Sequence, residues 1–306
     1  MNILEKLKQN KILLCDGAWG TFLQAKGMKP GECPELWNIT HEDEVLGIAE
    51  SYLQAGSDII ETNSFGGSNF KLSQYGLGDR VSELNQAAAA ISRKAAGKDK
   101  FVAGSIGPTG KMLLMGDVTE NELYDGFCEQ AVALEKGGAD IIIIETMSAV
   151  DEAFLAVRAA RENTKCTVAI TMTFTKTPKG EYRTMMGVSP EEMVTSMKNA
   201  GAHIIGSNGG NGIEDMIGIV KAIRATDKII PVLIQANAGV PELIDGDTVF
   251  RESPEMMASF IPELIKAGVN IIGGCCGTTP EHIRAMRKVL GFYPPLGHSR
   301  QLKLWG

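Results

Sequence analysis

The sequence predicts an α/β fold, a single (β/α)8 TIM barrel, and three observations carry that prediction. One phrase recurs four times, as AGSDII (55–60), GGADII (137–142), AGAHII (200–205) and AGVNII (267–272). A second, lysine-led set of apolar runs lies between the copies. The strands of both sets turn polar together at their C-terminal ends.

Each copy of the phrase follows an amphipathic segment. Its small-Gly pair reads as a helix C-cap in the left-handed conformation, and the β-branched run after it reads as a buried parallel strand. The copies are too far apart for one strand–helix unit and suit two. The second set fills the gaps: KILLCDG (11–17), KFVAGSIG (100–107), KCTVAITMT (165–173) and KIIPVLIQANAG (228–239). Interleaving gives eight strands.

The helices between them carry their own marks. Thr119 and Glu122 form a capping box ahead of Leu123, Phe127, Ala131 and Leu134. Val81, Leu84, Ala88 and Ile91 make one helical stripe. Ser189-Pro190-Glu191, Ser253-Pro254-Glu255 and Thr279-Pro280-Glu281 share one order: N-cap, proline in the first turn, then an acid. Eight alternating units give a doubly wound sheet or a closed barrel. No GxGxxG turn follows the first strand, and the fourfold alternation favours closure. Residues 1–290 are read as the barrel and 291–306 as a tail outside the repeat.

Bulk properties bound the function. The chain has 306 residues, 44% hydrophobic and 22% charged, with a net charge of −7. That balance argues against a nucleic-acid partner. No apolar run reaches membrane-spanning length, and the first residues lack a signal-peptide layout, so a cytoplasmic location is expected. The six cysteines show no framework spacing and are read as reduced. A homodimer is a common state for such barrels, although nothing here marks an interface.

In this fold the strand C-termini build the active site. Those ends read Asp16, then Glu61-Thr62-Asn63, Ser105, Glu145-Thr146, Thr171, Asn208, Gln235 with Asn237, and Cys275-Cys276. A glutamate after a run such as IIIIE is costly unless used. Asp16, Thr62, Asn63, Ser105, Glu145 and Asn208 are therefore candidate substrate contacts. Long connections after strands 1, 5 and 7 can wall or cover this face. The strand-5 segment, 174–188, reads equally as a mobile cover or an ordinary surface loop.

GGCCGTT (273–279) is the most specific stretch. Adjacent residues of a regular strand face opposite ways, but the flanking glycines let the chain leave strand geometry and aim both sulfurs inward. Two thiolates suit zinc, at about 2.3 Å each. Inert buried thiols, a vicinal disulfide and a redox pair are the competing readings; metal ligation leads.

Taken together, DGAWGT (16–21), PELWN (34–38), SDIIETNSF (57–65), GSIGPTG (104–110), IIIIET (141–146), QANAG (235–239) and GGCCGTTPEHI (273–283) resemble the homocysteine S-methyltransferase family. The likeness spans roughly residues 10–290, and the family includes the homocysteine-binding module of cobalamin-dependent methionine synthase. The resemblance implies a zinc barrel that makes methionine by methylating the thiol of homocysteine. It implies that Cys275 and Cys276 hold the metal and are essential to catalysis, that Asp16 and Glu145 hold the amino acid, and that Asn237 can approach the zinc. Where the family has a third cysteine ligand, this chain has Gly209.

Four explanations stand open for that departure. Another residue completes the shell (Asn237, Asn208, Asn211, Glu61 or Cys33), or metal binds only with substrate. Otherwise the site has lost zinc and uses a different acceptor or donor, or residue 209 is an engineered change. His203, at the start of strand 6, should lie at the wrong end of the barrel, and His282 reads as a cap-region residue. This sequence holds no D-x-H-x-x-G corrinoid motif, so a methylcobalamin donor, where one is used, is expected on a separate corrinoid protein. The alternative function is a diverged enzyme moving methyl groups between a small methylated compound and such a protein.

Overall fold

The computed structural model describes residues 2–9, 12–244 and 247–292. The tail expected at 291–306 lies outside them beyond Phe292.

Eight parallel strands form the barrel: β1 (Leu13–Leu14), β2 (Ile59–Glu61), β3 (Phe101–Ile106), β4 (Ile141–Met147), β5 (Thr167–Met172), β6 (Ile204–Asn208), β7 (Val232–Ala236) and β8 (Ile271–Gly274). Neighbours pair in sequence from β2 to β8, and β8 pairs with β1. The ring closes where Asp58 N–H donates to the Leu14 carbonyl at 2.6 Å. The expected lysine-led strands are present but shorter. β1 in particular is two residues long, because the chain leaves the ladder at Cys15 to place Asp16. Two antiparallel hairpins were not expected. Thr175–Lys176 pairs with Tyr182–Arg183, and Glu242–Ile244 with Asp247–Val249. They stiffen the long connections after β5 and β7.

The helix caps follow the sequence. Thr119 and Ser189 form complete capping boxes, and Thr279 forms one with His282 in the acid's place. Gly56, Gly138, Gly201 and Gly268 end their helices with φ between 94° and 111°. No helix among the described residues is long and apolar enough to cross a membrane.

The fourfold phrase has a structural counterpart at the N-terminal end of the barrel. Its fourth residue, Asp58, Asp140, His203 or Asn270, accepts a backbone N–H from the preceding strand: Leu14, Val102, Val168 or Val232, at 2.9–3.0 Å. An arginine from a neighbouring helix then spans the phrase. Arg287 donates to the Gly56 carbonyl and Asp58, Arg93 to Gly138 and Asp140, and Arg224 to Gly268 and Asn270. Arg161 lies over Gly201 in the His203 copy. His203 is thus at the end opposite the candidate site, as its place in the sequence predicts.

The lower barrel is filled by Leu13, Ile59, Ala103, Ile141, Ile143, Ala169, Ile204, Leu233 and Ile271. The helix Ile3–Leu7 seals it from below with Ile3 and Leu7. All eight strands contribute to this filling. Above it the interior becomes polar.

Candidate active site

Three carboxylates share that polar interior. Asp16 is fully buried; it accepts the Glu61 backbone N–H at 2.8 Å and the Trp19 indole N–H at 2.9 Å. Glu61 accepts the Gln235 amide at 2.7 Å. Glu145 accepts the Ser105 hydroxyl and, at 3.3 Å, the Asn208 amide. Glu145 continues the inward series Ile141, Ile143, and a register shift between Ile144 and Met147 opens the strand around it.

Burial is the main influence on all three. It raises Asp16 to about 6 and Glu145 to about 7, and lifts Glu61 well above its ordinary value with help from Glu145 and Asp16. No cation is among the leading influences on any of them. A side chain at Gly273 would collide with Cys15, its Cβ 2.8 Å from the cysteine Cβ, so this glycine keeps β8 close against the floor of the cluster. Cys15, Asp16 and Glu61 form a grouping of acid and sulfur donors with ligand atoms within 4.8 Å of one another.

The cysteine pair stands beyond the end of β8. Cys275 N–H donates to Ala236 at 2.7 Å, and Cys276 accepts from Ala238 N–H at 3.0 Å. Thr278 ties the turn through its hydroxyl to the Cys275 carbonyl at 2.7 Å. The neighbouring thiols act on each other in opposite directions: Cys276 falls to about 7, while Cys275, with burial added, rises well above its usual value. All six cysteines are free.

Asn208 joins the two halves of the site. Its Oδ1 accepts Thr146 N–H at 2.8 Å and the Thr171 hydroxyl at 2.7 Å. Its Nδ2 faces Glu145, Thr146 Oγ1 at 2.8 Å and Cys275 Sγ at 3.8 Å. Thr146, with φ of 62°, is the one non-glycine residue among those described that takes a left-handed backbone. The Asn208 amide holds it there on both sides, a strained arrangement of the kind functional sites retain.

Other expected residues fall differently. Ser105, Asn208 and Glu145 meet, and Asp16 lies across from them. Thr62 and Asn63 do not join the cluster. Thr62 pairs with Ser64 at 2.6 Å and accepts Ser105 N–H at 3.0 Å, while Asn63 donates to Pro34 at 2.7 Å and to Asn38. They brace the loops after β1 and β2, since β2 ends at Glu61 and both residues lie past it. Asn237 is buried and its Oδ1 has no hydrogen-bond partner. Glu61, Gln235 and Trp19 were not singled out as substrate contacts, although all three surround the Asp16 side. Glu61 and Gln235 stand among the polar strand ends, and the signal for Trp19 is its place three residues after Asp16 in the DGAW phrase.

Buried acids without a cation thus lie on one side of the barrel mouth and a thiol pair on the other. Residues 13–290 match the family described as homocysteine S-methyltransferase, and the chain belongs to that family. It is 31% identical over 300 residues to methionine synthase of Mycobacterium tuberculosis (strain ATCC 25618 / H37Rv), an alignment covering 92% of this chain and 25% of the relative. Methionine synthase of Mycobacterium leprae (strain TN) is 30% identical over 302 residues, covering 92% and 24%. The chain therefore spans about a quarter of the length of these curated relatives. The fold also matches the metallated form of the homocysteine methyltransferase MmuM from Escherichia coli. That match has a TM-score of 0.76 and 21% identity over 93% of this chain and 98% of that one.

Proposed function

We propose that the chain binds homocysteine in the barrel mouth and accepts a methyl group on its sulfur, yielding methionine. One observation carries this reading: Asn208 touches both Glu145, at 3.3 Å, and Cys275, at 3.8 Å. An ammonium among Asp16, Glu61 and Glu145 and a thiol at the cysteine pair are then the two ends of one small amino acid. The ammonium supplies the charge that the buried acids lack.

Cys275, Cys276 and Asn237 are the residues that would hold a zinc ion. Two soft sulfurs and a buried carbonyl oxygen without a partner make a three-donor set with a fourth position left for substrate, the pattern of catalytic zinc. A bound zinc would keep the substrate sulfur as thiolate at neutral pH. With its proton released to solvent, the sulfur attacks the methyl carbon in line. The new S–C bond forms as the donor–carbon bond breaks, its electron pair staying on the donor. Asp16 and Glu145 hold the amino end so that the sulfur is aimed.

The donor proposed is methylcobalamin presented to the barrel mouth by a corrinoid-binding unit. Exposed apolar residues on the loops around the mouth, Leu114, Met115, Met185, Val240 and Leu243, would meet such a partner. The location proposed is the cytoplasm. The second reading, transfer between a small methylated compound and the corrinoid protein without homocysteine, is favoured by Gly209.

Calorimetry with homocysteine and spectroscopy of cobalamin separate the two. The first reading expects homocysteine to bind with metal present and to demethylate methylcobalamin. Glu145→Gln should weaken that binding by roughly 30-fold or more, the cost of losing a buried charge partner. No homocysteine binding, with cob(I)alamin methylated by another small donor, would establish the second reading instead.

A further inference from the structure

Gly209 follows β6 directly and has φ of +62°. A Cβ placed on it would stand 3.9 Å from Cys275 Sγ and 4.0 Å from Asn237 Oδ1, with nothing nearer than Thr173 Oγ1 at 3.8 Å. A side chain here would point at the thiol pair, and glycine sends nothing.

The neighbouring side chains do not fill the gap. The Asn208 oxygen already accepts two hydrogen bonds, and the amide presents N–H rather than oxygen to Cys275. Asn211 donates to the Phe174 carbonyl at 2.6 Å. Cys33 bonds to Glu35 beside the turn Pro34–Leu36, and Glu61 is held by Gln235 in the floor cluster. Among the described residues, Cys275 and Cys276 belong to no group of three His, Cys, Asp or Glu donors able to share one ion. What remains is Asn237 Oδ1, buried and without a partner.

We infer that in this chain the metal ion and the substrate thiol bind as a mutually dependent pair, the substrate supplying the third sulfur that position 209 does not. The inference rests on the proposed metal-assisted thiol site. Two cysteine sulfurs and a neutral amide oxygen form an open, weak set for a thiophilic divalent cation. An arriving thiol, losing its proton to solvent, converts it to three sulfurs and one oxygen. The gain is reciprocal by linkage: whatever factor the thiol adds to metal affinity, the metal adds to thiol affinity. A site with three protein cysteines would hold its ion without substrate; this one is built to assemble on the substrate.

The test is a two-way titration of the whole chain. Zinc affinity is measured against a competing chromophoric chelator with and without homocysteine, with the zinc–homocysteine complex in solution measured separately and subtracted. Homocysteine affinity is measured by calorimetry with and without zinc. Each ligand is expected to raise the affinity of the other by about 100-fold, toward the upper end of known couplings, and by equal factors. Gly209→Cys should bind zinc tightly alone and lose most of the coupling. Should the left-handed backbone prevent that variant from folding, Asn237→Ala serves instead: zinc affinity should fall both with and without thiol.

Equal zinc affinity in the presence and absence of thiol would overturn the inference, even where homocysteine is methylated. Coupling seen with 2-mercaptoethanol but not with homocysteine would sustain it and refute the homocysteine reading.

Discussion

The two ends of the barrel treat their polar groups in opposite ways. At the N-terminal end, Asp58, Asp140 and Asn270 each accept a strand N–H and meet an arginine that also binds a helix-terminal carbonyl. At the C-terminal end, Asp16, Glu61 and Glu145 are buried together without a cation, and Asn237 Oδ1 has no partner. The first arrangement is complete in the folded chain; the second is complete only with something bound. Buried polar groups are costly when unmatched, so the contrast separates what holds this barrel from what it is for.

The largest expected effect breaks the mouth and spares the frame. Cys275→Ala or Cys276→Ala should reduce methyl transfer by more than the roughly 10–100-fold typical of outer-shell partners. The melting temperature should hardly move, since both residues stand beyond β8 rather than in its packing. Melting curves beside a methyl-transfer assay check this, and unfolding of both variants would show that the mouth also carries stability.

Asp58→Ala is the converse. It strips Leu14 N–H and Arg287 of their acceptor where β1 and β2 close the ring, and should cost about 2–3 kcal/mol. The urea midpoint reports that loss. The substrate KM and kcat of the molecules that remain folded should be unchanged, and a fall in kcat would erase the division between the two ends.

The smallest effects are in the pH dependence, with opposite signs at the two ends. Burial raises Glu145 from 4.5 to about 7 in the folded chain. Its contribution is therefore fully present below about 4.5 and is lost as pH rises through about 7. Burial, with Arg161 nearby, lowers His203 below 6.5. Its Nδ1 must stay unprotonated to accept Val168 N–H, so the unfolded chain takes up the proton first and stability falls as pH drops below 6.5. Urea midpoints across this range should show both slopes. Glu145→Gln should make the upper one shallower without abolishing it, because Asp16 and Glu61, also raised by burial, contribute with the same sign. His203→Asn, which copies the Asn270 solution, should flatten the lower one while changing neutral-pH stability by no more than about 0.5 kcal/mol.

Much of the frame was legible because its signals are local. A cap, a left-handed glycine and an apolar run each act within a few residues, so AGSDII and its three copies announce helix end and strand start wherever they lie. The seal by Ile3 and Leu7 and the two hairpins were not legible, since short elements carry little periodicity and form against surfaces that already exist. In the site, Asp16, Ser105, Glu145, Asn208 and the cysteine pair were visible as polar strand ends. Thr62 and Asn63 looked the same in sequence and brace loops in the structure, because β2 ends at Glu61 and both lie past it.

The sequence by itself determined the order of eight strand–helix units, their caps and the departure at Gly209. Only the tertiary structure decided which polar groups meet. Residues 16, 61, 145, 208, 235 and 275 are separated along the chain by tens of residues and come within bonding distance through strand register and ring closure. Register is a collective property of all eight strands, and a slip of one residue would turn each of these side chains to the opposite face.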